Sequence, residues 1–244
     1  MSNRDSVRVG ATAAVAGAVV LFVGTFLHPA DADPNDSVAA FTEYAADQLW
    51  VASHLMQLLG VIFIVGALIQ LSRILSTEGA GLWAALGRAG AIASLAAAAA
   101  TQAVDGVALK VMVDNWAAAS EPEKTMMFQA AYGVRQIEVG LASMTALLFG
   151  LTVSLYGIAL IVDGRLPGWL GWLALIGGIP ISVAGVVMAY TGFSRLAMAI
   201  NMPSSFLILV VWMIALGVIM WRHSESLGSS DAALIGTRDT GLQR

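Results

Sequence analysis

Six long apolar blocks dominate the chain, at about residues 10–28, 52–74, 83–105, 139–162, 168–190 and 204–221. A bilayer crossing needs roughly 20 apolar residues at 1.5 Å of rise each. In lipid the backbone must satisfy its own hydrogen bonds, so each block is expected to be a helix. The pattern predicts an all-α integral membrane protein, a bundle of six spanning helices within a single domain over residues 1–222. Residues 223–244 are rich in Ser, Gly and Asp and are expected to form a disordered cytoplasmic tail.

The stretches between the blocks differ in kind. Links 75–82 and 163–167 are short, so their flanking helices are expected to pair as antiparallel hairpins. Asp33-Pro34-Asn35-Asp36 is a turn and helix-cap signal. Val38, Phe41, Ala45 and Leu49 then recur at helical spacing and predict an amphipathic helix within 37–50. The link 106–125 carries Lys110, Asp114 and Trp116. Pro122 suits a first helical turn, from which the fourth helix is expected to run through to 162 and to project beyond the bilayer. The first block, with Arg4 and Arg8 before it and Ala30-Asp31-Ala32 after it, resembles a signal peptide. At about 18 residues it exceeds the usual 7–15 of a signal core, so it reads as a retained span.

Composition sharpens this picture. Hydrophobic residues make up 58% of the 244 positions and charged residues 11%, against about 25% charge in a soluble domain. Net charge is -4, without a basic tract, which argues against a nucleic-acid partner. The absence of cysteine excludes disulfides, thiolate catalysis and iron–sulfur clusters. Arg4, Arg8, Arg73, Arg88, Arg165, Arg222, Arg238 and Arg244 fall on one side of the six spans; Lys110, Lys124, Arg135 and Arg195 fall on the other. The positive-inside rule therefore places both termini inside the cell, and the expected location is a bacterial plasma membrane. Trp50 and Trp116 at outer block edges, and Trp83, Trp169, Trp172 and Trp221 at inner ones, read as interfacial belts. Gly10, Gly17 and Gly24, and again Gly171, Gly178 and Gly185, recur every seven residues and mark close-packing helix seams.

Chemistry is concentrated in the outer layer. Thr25 and His28, His54 and Gln57, Gln102 and Asp105, and Arg135 and Glu138 each lie three apart on one helix face. All fall at similar predicted depth, and polar groups there are expected to face the bundle interior. The candidate ligand-binding set is thus His28, His54, Gln57, Gln102, Asp105, Arg135 and Glu138. Two imidazoles and a carboxylate can hold a divalent metal with a position open. His28 and His54 with Glu138, or with Asp105, would supply that set. The same two imidazoles could ligate a haem iron from adjacent helices. The alternative is a hydrogen-bonded network with no cofactor, in which Arg135 pairs with Glu138, or a pocket for a lipid or small hydrophobic ligand. No catalytic residue is identifiable from a motif. There is no His-Glu-x-x-His, no phosphate-binding glycine loop, no mid-bilayer charge and no broken-helix pair.

Residues 165–180, RLPGWLGWLALIGGIP, follow a long fourth span and open a fifth; Pro203 then opens the sixth, with Trp212 and Gly217 inside it. Over roughly 125–221 this resembles the bacterial six-span membrane proteins grouped as domain-of-unknown-function family 4386. Here Gly168 intervenes between Pro167 and Trp169, and 206–220 lacks the acidic residue those proteins often carry in the last span. The resemblance implies the six-helix fold and brings no activity. Two functional readings follow. The first is a non-enzymatic membrane protein with a structural, sensory or ligand-binding role, possessing the bilayer as partner and open to homo-oligomer formation. The second is a membrane enzyme or redox protein with a metal or haem at His28 and His54.

Overall fold

The computed structural model describes residues 3–226. Among them there is no strand, and six helices are long and apolar enough to cross a membrane. We label the helices α1 (Asn3–Phe26), α2 (Ser37–Ala46), α3 (Trp50–Ile74), α4 (Gly81–Ala118), α5 (Glu121–Asp163), α6 (Gly168–Thr191) and α7 (Arg195–Ser226). All but α2 are the spanning helices. Each packs against its neighbour in chain order, and α7 returns to α1, so the six close a ring.

The glycines decide which pairs are intimate. A Cβ on Gly17 would lie 2.9 Å from the Gly60 carbonyl oxygen, and one on Gly60 would lie 2.7 Å from the Leu21 backbone nitrogen. The α1–α3 seam is therefore backbone against backbone. The α5–α6 seam is built likewise: Gly150 and Gly178 face each other, as do Gly157 and Gly171. Lipid offers no hydrophobic drive between helices, so such close approach is what van der Waals packing can exploit. Tyr156 and Trp212 anchor the centre, donating to the carbonyls of Leu68 (2.8 Å) and Leu170 (2.9 Å).

Several boundaries differ from the sequence expectation. The predicted link 106–125 is mostly helix. After Gln102 the third span widens into a π-helical segment, Ala103–Leu109, and continues to Ala118. Leu109, Val113 and Trp116 are buried in a second, smaller core with Phe41 and Trp50 of α2 and α3. That core holds the extension in place. The last span also starts early, at Arg195, where Ser194 caps the helix by accepting from the Ala197 N–H. Pro203 lies inside this helix, followed by a second π-helical segment, Leu207–Trp212. A proline cannot donate to the ladder and clashes with the preceding turn, and a wider turn accommodates it. The helix continues past 222 to Ser226, tied down where Arg8 donates to Ser224 (3.4 Å). The rest of the expected tail, residues 227–244, lies outside the described residues.

Predicted features that agree are α2, whose N-cap Asp36 accepts from the N–H groups of Val38 and Ala39, and the long α5 with Pro122 in its first turn. Trp50 is fully buried and Trp116 nearly so, so neither ring faces outward as a belt residue would. Trp169, Trp172 and Trp221 remain exposed on the opposite end.

Candidate functional site

At the end of the bundle where α1 stops, the small core borders a polar cluster. His28 follows α1 in a turn closed by its N–H on the Thr25 carbonyl (3.2 Å). Its imidazole lies against Trp50 and His54, with ring centres 4.6 and 5.0 Å away. His54 sits one turn into α3 and is buried. Asp105 comes from the π-helical segment of α4. Gly106 beside it is required there: a Cβ would lie 2.5 Å from the His54 Cβ. π-Helical turns are often found at functional sites; this one brings the α4 backbone onto the histidine stem and aims Asp105 at its ring.

One potential metal-ligand atom from each of His28, His54 and Asp105 falls within 4.8 Å of the others. The imidazole hydrogens can be placed. His54 Nδ1 lies 2.7 Å from the Trp50 carbonyl oxygen, and His28 Nδ1 lies 2.6 Å from that of Pro29. A carbonyl only accepts, so each Nδ1 carries a hydrogen, and Nε2 is the ring atom left to meet a further partner. His54 Nε2 approaches Asp105 Oδ2 at 3.1 Å, yet out of hydrogen-bond alignment. Burial and the neighbouring His54 ring hold His28, beyond the end of α1, below the ordinary imidazole range.

Five buried side-chain atoms among the described residues have no hydrogen-bond partner, and three of them lie in this neighbourhood: His54 Nε2, Asp105 Oδ1 and Gln102 Oε1. Unpaired buried polar atoms cost about 1–3 kcal/mol each. A bound cation would give all three a partner. Gln102 donates through Nε2 to Gln57 Oε1 (3.1 Å), one turn deeper, so the two amides floor the cluster. The Trp50 indole donates to the Asp105 carbonyl (3.0 Å). Trp50 therefore orients His54 with its carbonyl and Asp105 with its ring.

Arg135 and Glu138 form a second, adjoining pair. Arg135 Nη1 donates to Glu138 Oε2 at 2.6 Å, and both are buried. The guanidinium also lies over the Phe193 and Tyr44 rings, at 4.9 and 5.6 Å. Tyr44 in turn meets His28 edge-on at 6.4 Å. Glu138 engages Arg135; Asp105 is the carboxylate grouped with the two imidazoles. A haem fits poorly, since no plane can pass between imidazoles whose centres are 5.0 Å apart.

The seven candidate residues thus gather at one end, as two adjoining groups. Thr25, expected beside His28, is exposed and takes no part. The residues that sequence reasoning missed are Trp50 and Tyr44. The signal for Trp50 was its position four before His54, where its carbonyl comes within reach of the imidazole.

Compared with known sequences, a family described as "Domain of unknown function (DUF4386)" matches residues 9–222. The match takes in the first half of the chain as well as the second, and so spans every member of the cluster. No curated protein and no solved structure matches.

Proposed function

The chain belongs to the DUF4386 family, and from that premise we propose that it is a multi-pass membrane protein that holds one divalent transition-metal ion on His28, His54 and Asp105. The observation that carries this reading is the set of buried polar atoms left without a hydrogen bond. Buried His54 Nε2 has only Asp105 Oδ2 beside it, at 3.1 Å and out of hydrogen-bond alignment, and Asp105 Oδ1 has no hydrogen-bond partner, while each histidine turns its Nδ1 hydrogen to a backbone carbonyl. Metal-binding histidines are oriented in this way by an acceptor at the other ring nitrogen. Two imidazoles and one carboxylate suit zinc or ferrous iron and leave at least one position open. Gln57 and Gln102 are placed to hold a water in that position, and Arg135 with Glu138 sets the charge beside it.

The role that follows is binding or sensing of the ion at one membrane face. The excess of arginine at the opposite end supports an outward-facing site, cytoplasmic termini and a plasma-membrane location.

The test is elemental mass spectrometry on detergent-purified protein. Wild type would be compared with a His28→Ala/His54→Ala double variant and with His223→Ala, which alters the remaining histidine. Near-stoichiometric zinc or iron in wild type and His223→Ala, lost in the double variant, is the expected result. Metal-free wild type, or equal metal in all three, would overturn the assignment and leave the cluster as interfacial structure.

A further inference from the structure

A second feature, at the far end of the bundle, has no part in that reading. Between α1 and the last turns of α7 runs an open cleft of about 800 Å³, within the roughly 300–1,000 Å³ typical of ligand sites. Val15 and Val19 form one wall; Gly217, Val218 and Trp221 form the other, and Arg222 stands at the mouth. The cleft exists because α7 crosses α1 at Gly217. A Cβ there would lie 2.7 Å from Val15 Cγ2 and 2.9 Å from the Ala11 carbonyl oxygen. The helices touch at that point, and Trp221, one turn on along the same face, stands up beside the trough. The Arg8 guanidinium, 5.0 Å over the Trp221 ring, holds it there.

We propose that this cleft binds one acyl chain of an anionic phospholipid, with the lipid phosphate on Arg222. Three properties of the cleft point to that occupant. Its apolar wall on α1 runs from Ala11 to Val20, a rise of roughly 14 Å. That is close to half of a hydrocarbon core about 30 Å thick, the depth of one leaflet. Its mouth carries Arg222 beside Glu225, and Arg8 over the Trp221 ring adds a second cation there. Arg4, one turn beyond Arg8, keeps a buried Nε without a partner among the described residues. A tryptophan and an arginine at the head of an apolar trough are the interfacial pairing expected at a headgroup. A phosphate diester would neutralise the Arg222 that stands there.

Native mass spectrometry on the full chain tests this. The protein would be reconstituted with phosphatidylglycerol or with phosphatidylcholine of equal chain length. Wild type, Arg222→Gln and Val15→Phe would be compared, each checked for folding by thermal unfolding. Wild type should retain one phosphatidylglycerol per chain, preferred over phosphatidylcholine by about fivefold, the effect of one arginine near an anionic surface. Arg222→Gln should abolish the preference while still holding a lipid. Val15→Phe, which fills the trough, should lower occupancy by both lipids. Equal retention by all three folded proteins, or a lipid-free dimer in wild type, would overturn the proposal.

Discussion

The glycine seam between α5 and α6 and the histidine cluster beyond α1 are both buried, and they are built on opposite rules. In the seam every hydroxyl is answered: Ser154 donates to the Gly150 carbonyl (2.8 Å) and Ser182 to that of Gly178 (3.1 Å). There is no space for a further atom. In the cluster, three buried polar atoms are left without a hydrogen bond. A region that only holds the bundle together has no reason to keep unpaired polar atoms, since each subtracts from stability. The contrast separates a seam that only packs from the cluster proposed to hold an ion.

The comparison can be broken most severely at the seam. A Cβ on Gly150 would meet the Ser182 backbone nitrogen at 2.5 Å and the Gly178 carbonyl oxygen at 2.5 Å. Rigid backbone cannot yield as a flexible side chain can. Gly150→Leu should therefore cost roughly 3 kcal/mol or more and abolish recovery of monodisperse protein. Size-exclusion chromatography of the solubilised variant is the check. A normal elution profile would show that the helices can separate freely, and that the seam is not what fixes the fold.

An effect of similar size is expected at the ion pair beside the cluster. Arg135→Ala leaves the buried Glu138 carboxylate uncompensated, at a cost of about 3–5 kcal/mol. Replacing both, as Arg135→Leu/Glu138→Leu, removes both charges together. Most of the loss should then be recovered if the pair only holds structure. Thermal unfolding of the two variants measures it. A double variant as unstable as the single one would mean that the guanidinium is needed for its place over Tyr44 and Phe193 rather than for its charge.

Much of this was legible in the sequence. Six apolar blocks and the spacing of Gly171, Gly178 and Gly185 suffice for the bundle and one of its seams. The polar pairs His54/Gln57 and Gln102/Asp105 were readable because helix periodicity puts each pair on one face. The division of labour between the two carboxylates was not. Asp105 and Glu138 lie at similar depth, and only the wider turn over Ala103–Leu109 aims the first at His54. No hydropathy pattern marks a π-helical turn. Trp50 was misread because its place at the edge of an apolar block is also that of an interfacial tryptophan. Burial came from the extension of α4 past the block, which polar Lys110 and Asp114 concealed. Those two residues pair with each other at 2.6 Å, leaving Leu109 and Val113 to face inward.

A smaller effect, of opposite sign, is expected from the cluster itself. In metal-free protein, Asp105→Asn replaces a carboxylate oxygen with an amide donor that His54 Nε2 can accept from. The variant should be as stable as wild type or more so, by about 1 kcal/mol. It should also lose the stabilisation that added zinc gives the wild type. Thermal unfolding with chelator and with zinc separates the two effects. If Asp105→Asn were strongly destabilised in chelator, His54 would be held as a cation by that carboxylate, and the cluster would be a structural salt bridge like Arg135 and Glu138.

The subtlest test is Trp50→Phe. The ring keeps its packing, and the backbone carbonyl still accepts from His54. The one bond lost is indole to the Asp105 carbonyl, about 1 kcal/mol of stability. That carbonyl is in the π-helical segment, so losing its partner frees the turn that aims Asp105. Partners that orient metal ligands typically govern about 10–100-fold in affinity. Zinc affinity measured by competition with a chelator should therefore fall far more than stability does. A variant that lost both in proportion would place Trp50 with the packing residues. A variant that lost affinity alone would show that the π-helical turn is held in register for the ion, and that the bundle tolerates its strain for that purpose.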